Sequence, residues 1–293
     1  MTVTPSPLRR LTLGGRELSV AATAALLAPF FALLLVILVY PLLSLLSTGF
    51  LEPKPTLANY ARVFDNPVYV RVMLRTAWIS LLTTVLALVL GFPIAYLMTK
   101  ARGAVAALLT ACVLLPLWSS VLVRTAAWVV LLRRDGIINH ALQALGLTEE
   151  PLTLLYTQGA VVLAMAHVLL PFLILPVYSA LKNIPDDYMR AAAMLGASRW
   201  RAFFEVLLSL ARAGIWSGCL MVFLSALSFY ITPTLIGSPQ ELVIATLISQ
   251  QVRETLDWPF ASALIGVLMM AVALLVAVFN KVIDFNRMMG GNA

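Results

Sequence analysis

The sequence predicts an all-α, polytopic membrane protein with six transmembrane helices. Apolar residues make up 61% of the 293-residue chain and charged residues only 11%, outside the usual shares of a soluble domain. The apolar residues also gather into six runs, each long enough to cross a core of about 30 Å, which takes about 20 helical residues. A third observation is a polar stretch, residues 182–212, set between the fourth and fifth runs. It predicts a long loop on one face of the membrane.

The runs are Val20–Leu46, Ala77–Met98, Val105–Leu132, Gly159–Leu181, Ile215–Ile236 and Ala261–Ile283. The first is longer than the apolar region of a secretion signal, about 7 to 15 residues, and no small-residue cleavage site follows it. It is therefore read as a retained helix. The expected division is a basic tail (1–18), one transmembrane domain (19–285) and a second tail (286–293). Arg9, Arg10 and Arg16 precede the first run, Lys100 and Arg102 follow the second, and the 182–212 loop carries Lys182, Arg190, Arg199, Arg201 and Arg212. By the positive-inside rule these segments, and both termini, are cytoplasmic. Arg62, Arg71 and Arg75 run against that bias.

Within the loop, Pro185 suits a first helical turn, and Asp186 and Asp187 suit the positive end of a helix. Gly196 suits a left-handed stop, and Ser198 can cap a following helix. Tyr188, Ala192 and Leu195 are spaced to share a face. Two short amphipathic helices joined at a glycine are expected.

The formal charge of +7 is spread along membrane flanks rather than gathered with aromatics, so orientation and lipid contact account for it and nucleic acid is not expected as a partner. The chain has no phosphate-binding G-x-x-x-x-G-K-[ST] loop, no acidic metal cluster and no nucleophile with its base. No catalytic residue, metal ligand or bound cofactor is expected, and any ATP would be hydrolysed by another subunit. An ion-gradient-driven transporter, with broken spans or intramembrane acids, and a membrane-embedded enzyme are the competing classes. Cys112 and Cys219 read as buried small hydrophobes.

Three intramembrane features carry polar chemistry. The fifth run ends Ser225-Ala226-Leu227-Ser228-Phe229-Tyr230-Ile231-Thr232-Pro233. Its hydroxyls, aromatics and proline suit the wall of a solute pathway, or else a kinked helix end packed by interfacial aromatics. Trp118, Ser119 and Ser120, after Pro116, form a second place of this kind. Arg124 costs about 2.5–3.5 kcal/mol at a helix centre, a cost that snorkelling toward the outer headgroups would reduce. His167 suits a hydrogen-bonded packing role or a pathway role. Gly214 and Gly218, four apart, would let another helix approach closely.

The spacing Ala191-Ala192-x-x-Leu195-Gly196-Ala197-Ser198, with Val206-x-Leu208 ten residues after the glycine, resembles the EAA loop of ABC-importer permeases. The wider chain, from about Asn59 to Ile283, is similar to the spermidine/putrescine branch through Gly91-Phe92-Pro93-Ile94-Ala95-Tyr96, Leu115-Pro116-Leu117-Trp118, Arg124-Thr125-Ala126-Ala127-Trp128, Asp135-Gly136-Ile137-Ile138-Asn139 and Trp258-Pro259-Phe260-Ala261-Ser262-Ala263. Arg190 stands where the family has an acid, and Ser209 where it has a proline. The family's Pro-Gly-Ile reads Ala213-Gly214-Ile215.

The resemblance implies a multi-pass permease of the bacterial inner membrane. Its partners would be two ATPase subunits that use ATP and magnesium, a second homologous permease of different sequence, an external solute-binding protein and membrane lipid. Pro185, Asp186, Tyr188, Ala191, Ala192, Leu195, Gly196, Ala197, Ser198 and Phe203 would serve ATPase coupling. Trp118, Ser225, Ser228, Phe229, Tyr230, Thr232 and Pro233 would line the pathway, and Gly214 and Gly218 would face the second permease. The implied solute is a small cation such as putrescine or spermidine. The lack of an acid inside any run leaves an opine or amino-acid-derived solute as the alternative.

Overall fold

Arg62, Arg71 and Arg75, which run against the charge bias, precede or open a helix much longer than the second apolar run. Pro67 starts α4 (Pro67–Lys100), where a missing N–H costs nothing, and the Asn66 side chain accepts from Val68 N at 3.0 Å. At 34 residues, α4 is about 51 Å long, more than one hydrocarbon core. The computed structural model describes residues 12–13, 16–17, 20–51 and 54–282. Most of the 1–18 tail, the 286–293 tail, Arg9, Arg10 and the last residue of the sixth run lie outside the described residues.

Among the described residues the chain is helical, apart from a two-residue antiparallel pairing of β1 (Thr12–Leu13) with β2 (Arg16–Glu17). The first span runs through α1 (Val20–Leu34), a π-helical turn at Leu35–Val39 and α2 (Tyr40–Leu51). Pro41 cannot donate to the Ile37 carbonyl, which fits a widened turn there. A short helix, α3 (Ala58–Asp65), leads into α4.

The third run is not one helix. It breaks into α5 (Gly103–Trp118) and α6 (Val121–Leu132), and the segment Val121–Ala144 is bent through 104° from α5. Pro116 weakens the end of α5, the Ser119 hydroxyl donates to the Pro116 carbonyl at 2.8 Å, and the Ser120 hydroxyl caps α6 by accepting from Leu122 N at 3.2 Å. After α7 (Ile137–Ala144), α8 (Gln158–Lys182) forms the fourth span as expected.

The 182–212 segment folds into α9 (Asp186–Met194), α10 (Arg199–Arg201) and a π-helical stretch, Ala202–Leu207, that continues into α11 (Leu208–Leu227). The second loop helix is thus the first part of the fifth span rather than a separate short helix. That span stops at Leu227, nine residues short of the expected end, and α12 (Ile231–Ile236) follows as a separate piece. Two of the six apolar runs are therefore interrupted, the third between α5 and α6 and the fifth between α11 and α12. The chain closes with α13 (Ile244–Arg253) and α14 (Trp258–Val282). Five helices are long and apolar enough to cross a membrane, and counting the bent Gly103–Ala144 pair as one span makes six.

The core is α8 packed between α4 and α11. Val161, Ala164, Leu173 and Val177 of α8 are buried with Ile79, Ala87 and Ala95 of α4 and Ala211 and Val222 of α11. A second core joins α3, α13 and α14 to the start of α4, with Val63, Val72, Ile244, Phe260 and Leu264 buried. Gly214 and Gly218 are buried inside this chain. A Cβ on Gly214 would lie 2.3 Å from Ala180 Cβ and 2.7 Å from the Pro176 carbonyl oxygen, and one on Gly218 3.0 Å from the Leu173 carbonyl oxygen. The helix they admit is α8, not one from a second subunit. Cys112 is exposed on α5 rather than buried, and Cys219 is half-buried.

Two of the three arginines that oppose the charge bias act as fasteners. Arg62 pairs with Asp257 at 2.7 Å and lies 4.1 Å from the Phe260 ring centre, and that hydrogen bond holds its pKa above the ordinary value. Arg75 donates to the Gln240 carbonyl. Their positions follow from packing between helices, which explains why they weaken a rule based on translocation.

Candidate functional site

The loop element is built as its residues suggest. Gly196 has φ +83°, and its N–H bonds the Ala193 carbonyl while that of Ala197 bonds the Ala192 carbonyl, each at 3.0 Å. This is a Schellman stop, which a Cβ at position 196 would strain. The Ser198 hydroxyl then caps α10 by accepting from Arg201 N at 3.3 Å. Pro185 sits at the N-cap itself, one place earlier than expected, with Asp186 and Asp187 in the first turn of α9. Asp186 pairs with Lys100 at 3.3 Å, tying α9 to the end of α4. Arg190, at the place of the family's acid, is exposed and lies 3.8 Å from Asp187.

The expected coupling residues divide into two faces. Leu195 is 89% exposed, and Tyr188, Ala191, Gly196 and Ser198 are exposed with it. Ala192 is buried and Ala197 half-buried, so Ala192 does not share the exposed surface of Tyr188 and Leu195. Phe203 also turns inward, edge-on to Phe92 and Tyr96 of α4 at 6.0 and 5.9 Å between ring centres. Three further apolar residues stand outside: Met194 (88% exposed), Trp200 and Phe204, the last two stacked at 6.2 Å. An exposed surface of Tyr188, Met194, Leu195, Trp200 and Phe204 thus lies over an inner lock made by Phe203. The π turn at Ala202–Leu207 shifts the side chains that follow it from the phase that a 3.6-residue period predicts.

At the opposite depth the two broken spans meet. Thr125 of α6 and Thr232 of α12, both fully buried, share a hydrogen bond at 2.9 Å. Thr232 and Pro233 are therefore packed inside the protein and do not line an open path. Ser228 is exposed at the break, with its hydroxyl donating to the Ser225 carbonyl at 3.2 Å, while Ser225, Phe229 and Tyr230 are half-buried. The Tyr230 hydroxyl accepts from Ser249 at 3.3 Å. Trp118, 89% exposed, ends α5 at the other break.

Arg124 does not snorkel outward. Its guanidinium donates to the Val168 carbonyl at 3.2 Å and the Ser119 carbonyl at 3.4 Å, so the break that frees the Ser119 carbonyl also supplies a partner for the charge. Four residues on, Trp128 Nε1 donates to His167 Nδ1 at 3.2 Å, while His167 itself stays exposed. No cluster of His, Cys, Asp and Glu able to hold a metal occurs among the described residues.

The Thr125–Thr232 bond carries a separable prediction. Either single change to Val leaves one hydroxyl buried without a partner and is expected to destabilise by about 1 kcal/mol, whereas the double change removes both and is expected to recover most of that loss. Thermal melting of the purified chain in detergent checks this, and a double variant as unstable as the two singles combined would contradict it.

The described residues thus form a bundle of membrane-length helices, with one sharply bent pair and an apolar loop element exposed at one end, the architecture of a membrane transport subunit. Residues 87–287 match the family described as binding-protein-dependent transport system inner membrane component, and the chain belongs to that family. It is a non-catalytic permease subunit of an ABC importer in the inner membrane. The chain is 34% identical over 226 residues to the spermidine/putrescine transport system permease protein PotB of Haemophilus influenzae, covering 77% of this chain and 79% of that protein. It is 34% identical over 269 residues to the inner membrane ABC transporter permease protein YdcU of Escherichia coli K12, covering 84% and 85%. Its fold also matches a chain in the crystal structure of a bacterial ABC transporter involved in the import of the acidic polysaccharide alginate, with a TM-score of 0.72, 20% identity and coverage of 92% and 96%.

Proposed function

We propose that this chain forms the membrane path for a small polyamine-like cation and that its 182–212 element docks a cytoplasmic ATPase. The observation that supports docking is the two-faced element: Tyr188, Met194, Leu195, Trp200 and Phe204 stay exposed while Phe203 grips Phe92 and Tyr96. An apolar surface on a loop held rigidly against a span suits a partner that pushes on it. Two ATPase subunits supply ATP and magnesium chemistry, a second and different permease completes the path, and an external binding protein delivers the solute. Both termini face the cytoplasm. Similarity to the spermidine/putrescine permease supports the solute class.

A second solute reading rests on Arg124. It carries a positive charge inside the third crossing, and the apolar runs contain no acid, a pattern better suited to a solute with a carboxylate, such as an opine or amino-acid derivative. The assembled importer, reconstituted with its ATPases and binding protein, separates the two. The polyamine reading expects putrescine or spermidine to stimulate ATP hydrolysis and amino-acid-derived solutes to leave it at its basal rate. The opposite pattern would overturn it.

A further inference from the structure

The ends of α4 and α8 and the start of α9 enclose a cavity of about 340 Å³, lined by Tyr96, Lys100, Arg102, Lys182, Asp186 and Met189 among others. Its charge is lopsided. Three cations face one carboxylate, and that carboxylate is already shared with Lys100 at 3.3 Å. Lys182 lies 5.3 Å from the Tyr178 ring centre. Arg102, at the N-cap of α5, makes no side-chain cap and forms no ion pair among the described residues. Two cations in one concavity focus a positive potential at its mouth.

The cavity lies where two apolar helices stop. Lys100 ends α4 and Lys182 ends α8, with Tyr96 and Tyr178 about one turn before them, a pattern of the membrane–water boundary. Leu181, Ile184 and Leu207 complete the lining with apolar surface. The exposed Leu195, Met194 and Trp200 do not line it, so the cavity is separate from the exposed apolar face of the loop element, although Pro185 and Asp186 at the root of α9 form part of its wall.

We propose that this cavity binds the phosphate of an anionic phospholipid headgroup, with Arg102 and Lys182 as its ligands and the apolar lining against the glycerol end of the chains. A lipid held there bridges α4, α8 and the root of α9. Its influence on transport rests on the docking reading above, whereas its binding does not.

Native mass spectrometry of the full chain in detergent, titrated with phosphatidylglycerol or phosphatidylcholine, tests binding directly. Arg102→Gln with Lys182→Gln is expected to weaken phosphatidylglycerol retention about 30-fold, at about fivefold for each lost charge. Phosphatidylcholine retention should stay unchanged, and Arg102→Lys with Lys182→Arg should keep phosphatidylglycerol bound. Arg212→Gln with Lys281→Gln removes the same charge outside the cavity and should have little effect. Equal losses from both neutralised pairs would reduce the effect to general surface charge and overturn the proposal. Displacement of the lipid by excess inorganic phosphate would identify a soluble phosphate, rather than a headgroup, as the ligand of the same site. Unchanged lipid retention with loss of the co-purifying ATPase would assign the cavity to the ATPase and overturn it.

Discussion

Replacing Met194 and Leu195 together by Asp is expected to abolish co-purification of the ATPase while leaving the chain folded and inserted. Both side chains are nearly free of contact, at 88% and 89% exposed, so the intrinsic stability change should stay within about 0.5 kcal/mol. An apolar anchor in a protein interface carries about 2 kcal/mol or more, which is roughly a 30-fold loss of affinity for each. Adding two carboxylates to an apolar contact deepens that loss. Tyr188→Asp should act in the same direction with a smaller effect, since that side chain is already half-covered at 53% exposed. Ala192→Trp has a different meaning. Ala192 is buried, so a bulky residue there breaks the element from within, and loss of ATPase binding would follow from misfolding of the loop.

Gly214→Val is expected to prevent α11 from seating on α8. A Cβ there would lie 2.3 Å from Ala180 Cβ, which is fixed to its own backbone, and 2.7 Å from the Pro176 carbonyl oxygen, so neither neighbour can turn aside. Overpacking of this kind costs about 1–3 kcal/mol, and the bulk of Val adds to it. The expected result is a lower melting temperature and a poor yield of monodisperse chain in detergent, even without any partner. Gly218→Ala, whose Cβ would sit 3.0 Å from the Leu173 carbonyl oxygen, should be milder. An intact isolated chain that only fails to join its second permease would instead assign these glycines to the subunit interface.

Much of the fold is legible in the sequence because its largest signals are physical ones. Spans four and six need only apolar length, and the Gly196 stop and Ser198 cap need only local backbone chemistry. What stays hidden is phase and direction. Val105–Leu132 reads as one apolar run, and only Pro116 with the Ser119-Ser120 pair hints that the helix turns through 104°. In the fifth run Pro233 draws attention, yet the break comes earlier, at Ser228–Tyr230, and Pro233 lies buried in the next helix. Small residues promise a close neighbour without naming it, so Gly214 and Gly218 point equally to α8 and to another subunit. Phe203 is misplaced because it packs on Phe92 and Tyr96, more than 100 residues earlier in the chain, a pairing that residue type and local spacing do not mark.

The matched stretches acquire physical meaning once folded. Phe92 and Tyr96 of Gly91-Phe92-Pro93-Ile94-Ala95-Tyr96 hold Phe203. Arg124, Thr125 and Trp128 each fasten the bent third span, to Val168, Thr232 and His167. Asn139 of Asp135-Gly136-Ile137-Ile138-Asn139 is fully buried, donates to the Arg133 and Leu152 carbonyls and accepts from Leu152 N, closing the turn after that span. These stretches therefore build the scaffold around the loop element more than they line a path.

The central claim is that motion of the 182–212 element reaches the spans through Phe203. The most direct measurement is the number of solute molecules imported per ATP hydrolysed by the reconstituted importer carrying Phe203→Ala. Truncating a packed Phe costs about 3–5 kcal/mol where it is fully buried, and less at this half-buried site, so the ATPase should still dock through the exposed face. The account predicts continued ATP hydrolysis with import per ATP reduced at least about tenfold, corresponding to about 1.4 kcal/mol of lost coupling. An unchanged ratio of import to hydrolysis in a folded, ATPase-bound variant would contradict it.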